Sequence, residues 1–260
     1  MAWARFLPGD AAGWAATGLD LLFPPQCPIC RREPAAGSPV DGAAASRGGL
    51  PCAPCVRELS ADVGRCGRCG AARGSASGCR VCRRLRPAWD RAFVLGGYGG
   101  PLREAVLRAK HPTGARVVAA LATLLVHRHG AAIRAAGADC VVPVPMHWWR
   151  RSLRGASAAD DLAGGVAGLI GLPVSRVLTR RRATRMQNEL PAEERPRNVD
   201  GAFHVRRRLR GARLILVDDV MTTGATLAAC CRALAAAGAG GVDVAVVARA
   251  DSPGSIDDDA

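Results

Sequence analysis

Lysine is nearly absent from this 260-residue chain: of its 36 basic residues, 35 are arginine and one, Lys110, is lysine. An arginine bias beside 31 glycines and abundant alanine reflects genome composition and is not in itself a sign of nucleic-acid binding. Acids are also few, at 22, which leaves a formal net charge of +14. Aromatic residues make up only 4%. Long apolar runs are missing too. The stretch 117–126 is ten residues, half of the about twenty that a bilayer crossing needs, so no transmembrane helix is expected. Residues 1–23 contain Asp10 and Asp20 and lack a charged leader before a clean apolar block; they read as an amphipathic segment, not a signal peptide. The expectation is a cytoplasmic protein whose 11 cysteines are not a disulfide framework. At 49% hydrophobic residues, wholesale disorder is excluded, and the length suits one large domain or two.

The basic surplus is local. Between Arg176 and Arg213 stand 12 arginines and four acids, a net +8. Such a segment suits an anionic partner, phosphate groups or nucleic acid, although a solvated surface has the same composition. The chain divides by composition. Residues 24–89 hold eight of the 11 cysteines and few periodic apolar segments, and 34–49 read as an Ala/Gly/Ser-rich loop insertion. From about 90 to 250, short apolar strands (141–144, 214–217, 242–247) alternate with helical stretches (102–108, 117–127, 160–170, 226–237). That alternation implies βαβ units: an α/β fold with a mainly parallel sheet flanked by helices. Residues 251–260 are acidic and read as a disordered tail.

Four C-x-x-C units occur in order: Cys27/Cys30, Cys52/Cys55, Cys66/Cys69 and Cys79/Cys82. Such a turn sets two thiolates on one side of a metal ion, and a second turn completes a tetrahedron. A segment this poor in apolar residues needs a metal to fold. The eight thiolates fit one or two structural Zn²⁺ sites in a small Cys-rich zinc-ribbon domain, with no ligand position left for water. Pairing can be consecutive or interleaved. The short Cys69–Cys79 spacing favours consecutive. Cys140, Cys230 and Cys231 fall in strand or helix segments and read as core residues.

The most informative stretch follows Leu214, Ile215, Leu216 and Val217: Asp218, Asp219, Val220, Met221, Thr222, Thr223, Gly224, Ala225 and Thr226. It reads as a buried strand, two carboxylates, a Thr/Gly turn and a helix start. Ligands bind at that edge of a parallel sheet. The turn offers successive backbone N–H groups, three hydroxyls and the positive end of a helix, a combination that holds phosphate. Adjacent carboxylates would repel that phosphate unless they face hydroxyls or a cation. A phosphate beside a diol is a ribose 5-phosphate.

This stretch resembles the phosphoribosyl-diphosphate (PRPP) motif of type I phosphoribosyltransferases. With the cysteine pairs, the chain resembles the ComF family, linked to DNA uptake in competent bacteria. The likeness runs from about Cys27 to Val247. It takes in Tyr98 to Lys110, Val142-Pro143-Val144-Pro145, Arg154-Gly155, and Arg180, Thr184, Gln187, Arg195, Asn198 and Phe203. The resemblance implies that Asp218 and Asp219 hold the ribose hydroxyls, that Thr222, Thr223, Gly224, Ala225 and Thr226 wrap the 5-phosphate, and that Mg²⁺ sits between ribose and pyrophosphate oxygens. One departure stands out. The family pattern continues Arg-Gly-Phe-Asn-Gln, whereas Arg154-Gly155 here precedes Ala156-Ser157-Ala158.

Arg150, Arg151 and Arg154 follow the stiff Pro143/Pro145 strand end and suit a pyrophosphate loop. Trp148 and Trp149 read as packing against a neighbouring domain. In an arginine-biased chain, a lone Lys110 suggests a required ammonium, for example at a phosphate. His127 and His129 read as surface residues at a helix end. The segment 180–203 has the composition of a mobile loop closing over a diphosphate. Two readings remain. One is a phosphoribosyltransferase acting in DNA uptake or purine-like transfer, with Asp218 and Asp219 as catalytic residues. The other is a non-catalytic PRPP-fold module contacting single-stranded DNA, a competence helicase or another DNA-processing protein.

Overall fold

The computed structural model describes residues 26–33, 51–60, 64–72, 78–146, 157–181 and 198–251. Expectations for 1–23, the 34–49 insertion, Trp148, Trp149, Arg150, Arg151, Arg154, Thr184, Gln187, Arg195 and 252–260 lie outside the described residues.

Four parallel strands form the central sheet: β1 (Ala92–Gly97), β2 (Cys140–Pro143), β5 (Arg213–Met221) and β6 (Gly241–Arg249), in the order β1-β6-β5-β2. Strands β3 (Leu178–Arg180) and β4 (Phe203–Val205) pair as a separate antiparallel two-stranded unit. The helices are α1 (Ala53–Ser60), α2 (Arg80–Leu85), α3 (Gly100–Ala109), α4 (Ala115–Ala135), α5 (Ala158–Ile170) and α6 (Ala225–Ala236).

The continuous apolar run in β5 follows from burial on both faces. Ile215 and Val217 enter the layer built with α3, α4 and α5, and Leu214 and Leu216 enter the layer built with α6 and the β3–β4 unit. All four are at most 1% exposed, each worth about 1.5–3 kcal/mol of burial. The mainly parallel sheet flanked by helices, expected from the pattern, is the fold observed.

Several boundaries moved, each for a tertiary reason. β5 runs four residues beyond 217 because β6 goes on pairing with it, through Asp218↔Val246, Val220↔Ala248 and Met221↔Arg249. The two carboxylates therefore lie on the strand itself. α4 continues past 127 to Ala135, so His127 and His129 are interior to the helix, not at its end. His129 is anchored there, Nε2 lying 2.9 Å from Val94 O. β1, the β3–β4 unit and α1 and α2 were not among the expected elements. Asp251, expected to open a disordered tail, instead pairs with Arg65 at 3.1 Å and with Arg249 at 3.4 Å.

Candidate phosphoribosyl site and cysteine clusters

The C-terminal edge of the sheet gathers the candidate site. Val217 is level with Pro143, so Asp218 begins where β2 ends. Gly97 is level with Arg249, and Tyr98 N donates to Arg249 O at 2.7 Å. α3 then leaves this edge, and Lys110, its C-cap, returns an ammonium 3.0 Å from Asp219 Oδ2. The lone lysine thus faces the acidic pair. Their side chains are 36% and 21% exposed, a half-buried pair whose attraction solvent screens only in part. Although burial alone would lower it, Asp219 and then Asp218 hold the Lys110 ammonium above its ordinary pKa. Burial, reinforced by the Asp219 charge, pushes the Asp218 carboxyl well above the usual carboxylate range; the Asp219 N–H, 2.9 Å from Asp218 Oδ1, and Lys110 oppose the rise.

The turn after β5 leads directly into α6. Gly224 adopts φ +75°, a left-handed conformation, as N-cap of α6, whose first residue is Ala225. Glycine takes that conformation without the penalty a Cβ brings. Ala225 N donates to Thr223 Oγ1 at 3.4 Å. The structure therefore brings together Asp218, Asp219, Lys110, Thr222, Thr223, Gly224, Ala225 and Thr226, while Arg154 lies outside the described residues. Ser157, at the place where the family pattern has Asn, is buried, and its Oγ accepts from Asp160 N at 3.3 Å as N-cap of α5.

The cysteines form two quartets, Cys27/Cys30/Cys52/Cys55 and Cys66/Cys69/Cys79/Cys82; within each, the sulfurs all lie within 4.8 Å of one another. Consecutive pairing is the observed arrangement. Contacts of 3.9 and 3.7 Å in the first and 3.6 and 3.4 Å in the second approach the about 3.8 Å edge of a tetrahedron with Zn–S of about 2.3 Å. Each quartet joins a tight turn to the start of a helix: Cys52 precedes α1, and Cys79 caps α2, which contains Cys82. Both quartets could hold zinc. Their electrostatics agree. Burial opposes ionisation, yet backbone N–H donors bring Cys27 down to about 7 and Cys66 to about 6. Burial and neighbouring sulfurs push Cys55 and Cys82 up, and Cys69 to about 11. One thiolate per quartet forms readily, and the thiols that burial raises beside it need a cation to ionise. Cys230 and Cys231 are core residues, as expected, and burial raises both thiols, Cys231 to about 12.

Sequence reasoning passed over Trp89, Arg249 and Asp251, which join the second quartet to the sheet. A charged residue closing an apolar strand, as Arg249 does, was the available signal. A separate cavity of about 850 Å³ opens at the opposite, N-terminal end of β1, beside the second quartet. Most of its cations are committed: Arg65 to Asp251, Arg91 to Asp243 at 3.0 Å, and Arg128 to Leu95 O at 3.1 Å.

A parallel sheet flanked by helices, with an acidic pair and a glycine-bearing turn at its C-terminal edge, defines a phosphoribosyltransferase-fold protein. Residues 154–259 match the model of the phosphoribosyl transferase domain family. The chain is 33% identical over 234 residues to the "DNA utilization protein YhgH" of Salmonella typhi, covering 88% of this chain and 99% of that protein. The Escherichia coli K12 protein of the same name is 31% identical over 234 residues, with the same coverage. The "Competence protein F" of Haemophilus influenzae is 29% identical over 188 residues, covering 68% of this chain and 80% of that one. The chain belongs to the ComF family of phosphoribosyltransferase-like proteins. Among the described residues no helix is long and apolar enough to cross a membrane.

Proposed function

We propose that the chain is cytoplasmic, binds PRPP with Mg²⁺ at the C-terminal edge of its sheet and acts in DNA uptake or use; its relatives are named for DNA utilization and competence. The observation behind this reading is the Lys110–Asp219 ion pair on β5, the strand that runs straight into the turn at 222–226. Asp218 and Asp219 accept the ribose hydroxyls. Thr222, Thr223, Gly224, Ala225 and Thr226 hold the 5-phosphate at the N-terminus of α6. Lys110 and Arg154 face the pyrophosphate, and Lys110 gives up part of its hold on Asp219 to do so. Bound together with the ligand, Mg²⁺ would supply positive charge against the pyrophosphate. The zinc-ribbon-like region spans 24–89 and the phosphoribosyltransferase-like domain 90–250.

Calorimetric titration with PRPP and Mg²⁺, followed by assay of pyrophosphate release with nucleobases and amines, tests this. Lys110→Met is expected to weaken PRPP binding roughly tenfold or more, since a charge-assisted contact is lost. Asp218→Asn with Asp219→Asn abolishes binding while zinc content stays unchanged. Absence of binding by the unaltered chain overturns the reading.

One observation favours a binding module without turnover. Ser157 is spent on capping α5, where the family pattern supplies an amide side chain. Binding without pyrophosphate release supports that version. Its partners would be single-stranded DNA, bound with steep salt dependence, and a competence helicase.

A further inference from the structure

The second cysteine quartet reaches the 222–226 turn from two sides. Trp89 is 2% exposed, and its Nε1 donates to Arg68 O at 2.7 Å. Arg68 lies between Cys66 and Cys69, so its carbonyl is fixed by the same tight turn that presents the two sulfurs. The far edge of the indole meets Gly224: a Cβ there would lie 3.0 Å from Trp89 Cη2. It would also lie 3.6 Å from both Leu85 methyls, at the end of α2, the helix that Cys79 caps. Both halves of the quartet are thus connected to Gly224, one through Trp89 and the other through Leu85.

A second link runs through Arg249, 5% exposed at the end of β6. Its Nη1 donates to Cys69 O at 2.8 Å and lies 2.6 Å from Met221 Sδ, the last residue of β5 before Thr222. Asp251 secures the arrangement, pairing with Arg249 and Arg65 and accepting from Ala72 N at 3.4 Å. These contacts are close-packed and buried, so a shift at one end cannot be absorbed locally.

We infer that the second quartet positions the phosphate turn, with Trp89 and Arg249 as the positioning residues, so that metal in the quartet and ligand in the turn strengthen each other. The inference rests on reading that turn as a PRPP site. Coupling between two sites is reciprocal. A chain that holds zinc at Cys66, Cys69, Cys79 and Cys82 binds PRPP more tightly, and bound PRPP makes that zinc harder to remove. The first quartet packs in the layer on the other face of the sheet, where Arg108, two residues before Lys110, donates to Pro28 O and Ile29 O; among the described residues no hydrogen bond is seen from it to the 222–226 turn.

The test uses the full zinc-loaded chain. PRPP affinity is measured by calorimetry, and zinc retention is measured by equilibrium competition with a chromogenic chelator, with and without PRPP and Mg²⁺. PRPP is expected to raise retention of one of two zinc ions by about 5- to 10-fold and to leave the other unchanged. Trp89→Phe keeps an aromatic ring against Gly224 and removes the N–H donor to Arg68 O. It should carry two zinc ions, bind PRPP about 5- to 10-fold more weakly, and lose the effect of PRPP on zinc. Arg249→Lys keeps a cation facing Asp251 while giving up the Nη1 donor to Cys69 O, and it should behave the same way. Should Trp89→Phe come without its metal, the comparison with Arg249→Lys decides. If both variants bind PRPP as tightly as the unaltered chain, or if PRPP leaves zinc retention unchanged in a chain that binds it, the coupling is overturned while the PRPP site stands. A chain that binds no PRPP overturns both.

Discussion

Asp218 bears a cost that pH exposes. Its carboxyl titrates well above the ordinary value of 3.8 because burial and the Asp219 charge disfavour the anion. A group whose folded pKa is raised binds more protons in the folded state, so stability falls as pH rises from about the unfolded value through the folded one. Asp218→Asn removes that dependence. Thermal midpoints at pH 4.5 and pH 8 should show the variant gaining on the unaltered chain as pH rises; parallel shifts at both would contradict the assignment. The same substitution should weaken PRPP binding, the trade expected where a strained charge serves a ligand. At this scale much was legible. Asp218, Asp219 and the turn residues announce themselves by their order along the chain. Lys110 was visible as an exception to the arginine bias, but its partner was not, because Lys110 and Asp219 are far apart in sequence and meet only at 3.0 Å across the sheet edge.

Among the elements, α5 shows how a departure from a family pattern can be structural. Ser157 caps the helix in place of an amide residue. Ser157→Ala should lower unfolding free energy by about 1 kcal/mol, the usual worth of an N-cap, with PRPP affinity unchanged. Denaturant midpoints read the first and calorimetry the second; a loss of affinity without loss of stability would give Ser157 to the ligand instead. The strands and helices with strong apolar periodicity were legible, and their ends were not. β5 reads as four residues and extends over nine because β6 supplies partners for residues without apolar side chains. β1 escapes notice because its closing glycines, Gly96 and Gly97, offer no strand propensity, and only its pairing with β6 makes it a strand.

At the scale of the whole molecule, the first cysteine quartet is part of the core, and the second is a small cluster of its own that adjoins the core at Leu85. Cys27, Ile29, Cys52, Cys55 and Leu59 share one apolar cluster with α4 and β5 residues, and Trp89 shares the other with α6. Stripping both metals with a strong chelator should therefore lower the thermal midpoint of the entire chain in calorimetry. A phosphoribosyltransferase-like domain that melts at an unchanged temperature after zinc loss would refute this. Atomic absorption on the untreated chain should return two zinc ions per chain.

The sequence by itself determined the chemistry on offer: eight thiols in four two-residue-spaced pairs, an acidic pair leading into a Thr/Gly turn, and an alternation that demands a parallel sheet. These are local properties, set by spacing, backbone freedom and the period of apolar residues. Only the tertiary structure decided which cysteine pairs join, that the lone ammonium meets Asp219, and that an indole and a guanidinium connect the second cysteine quartet to the 222–226 turn. Those depend on contacts between residues distant in sequence, such as Arg249 and Cys69, which strand order and helix packing bring together and which no local pattern encodes.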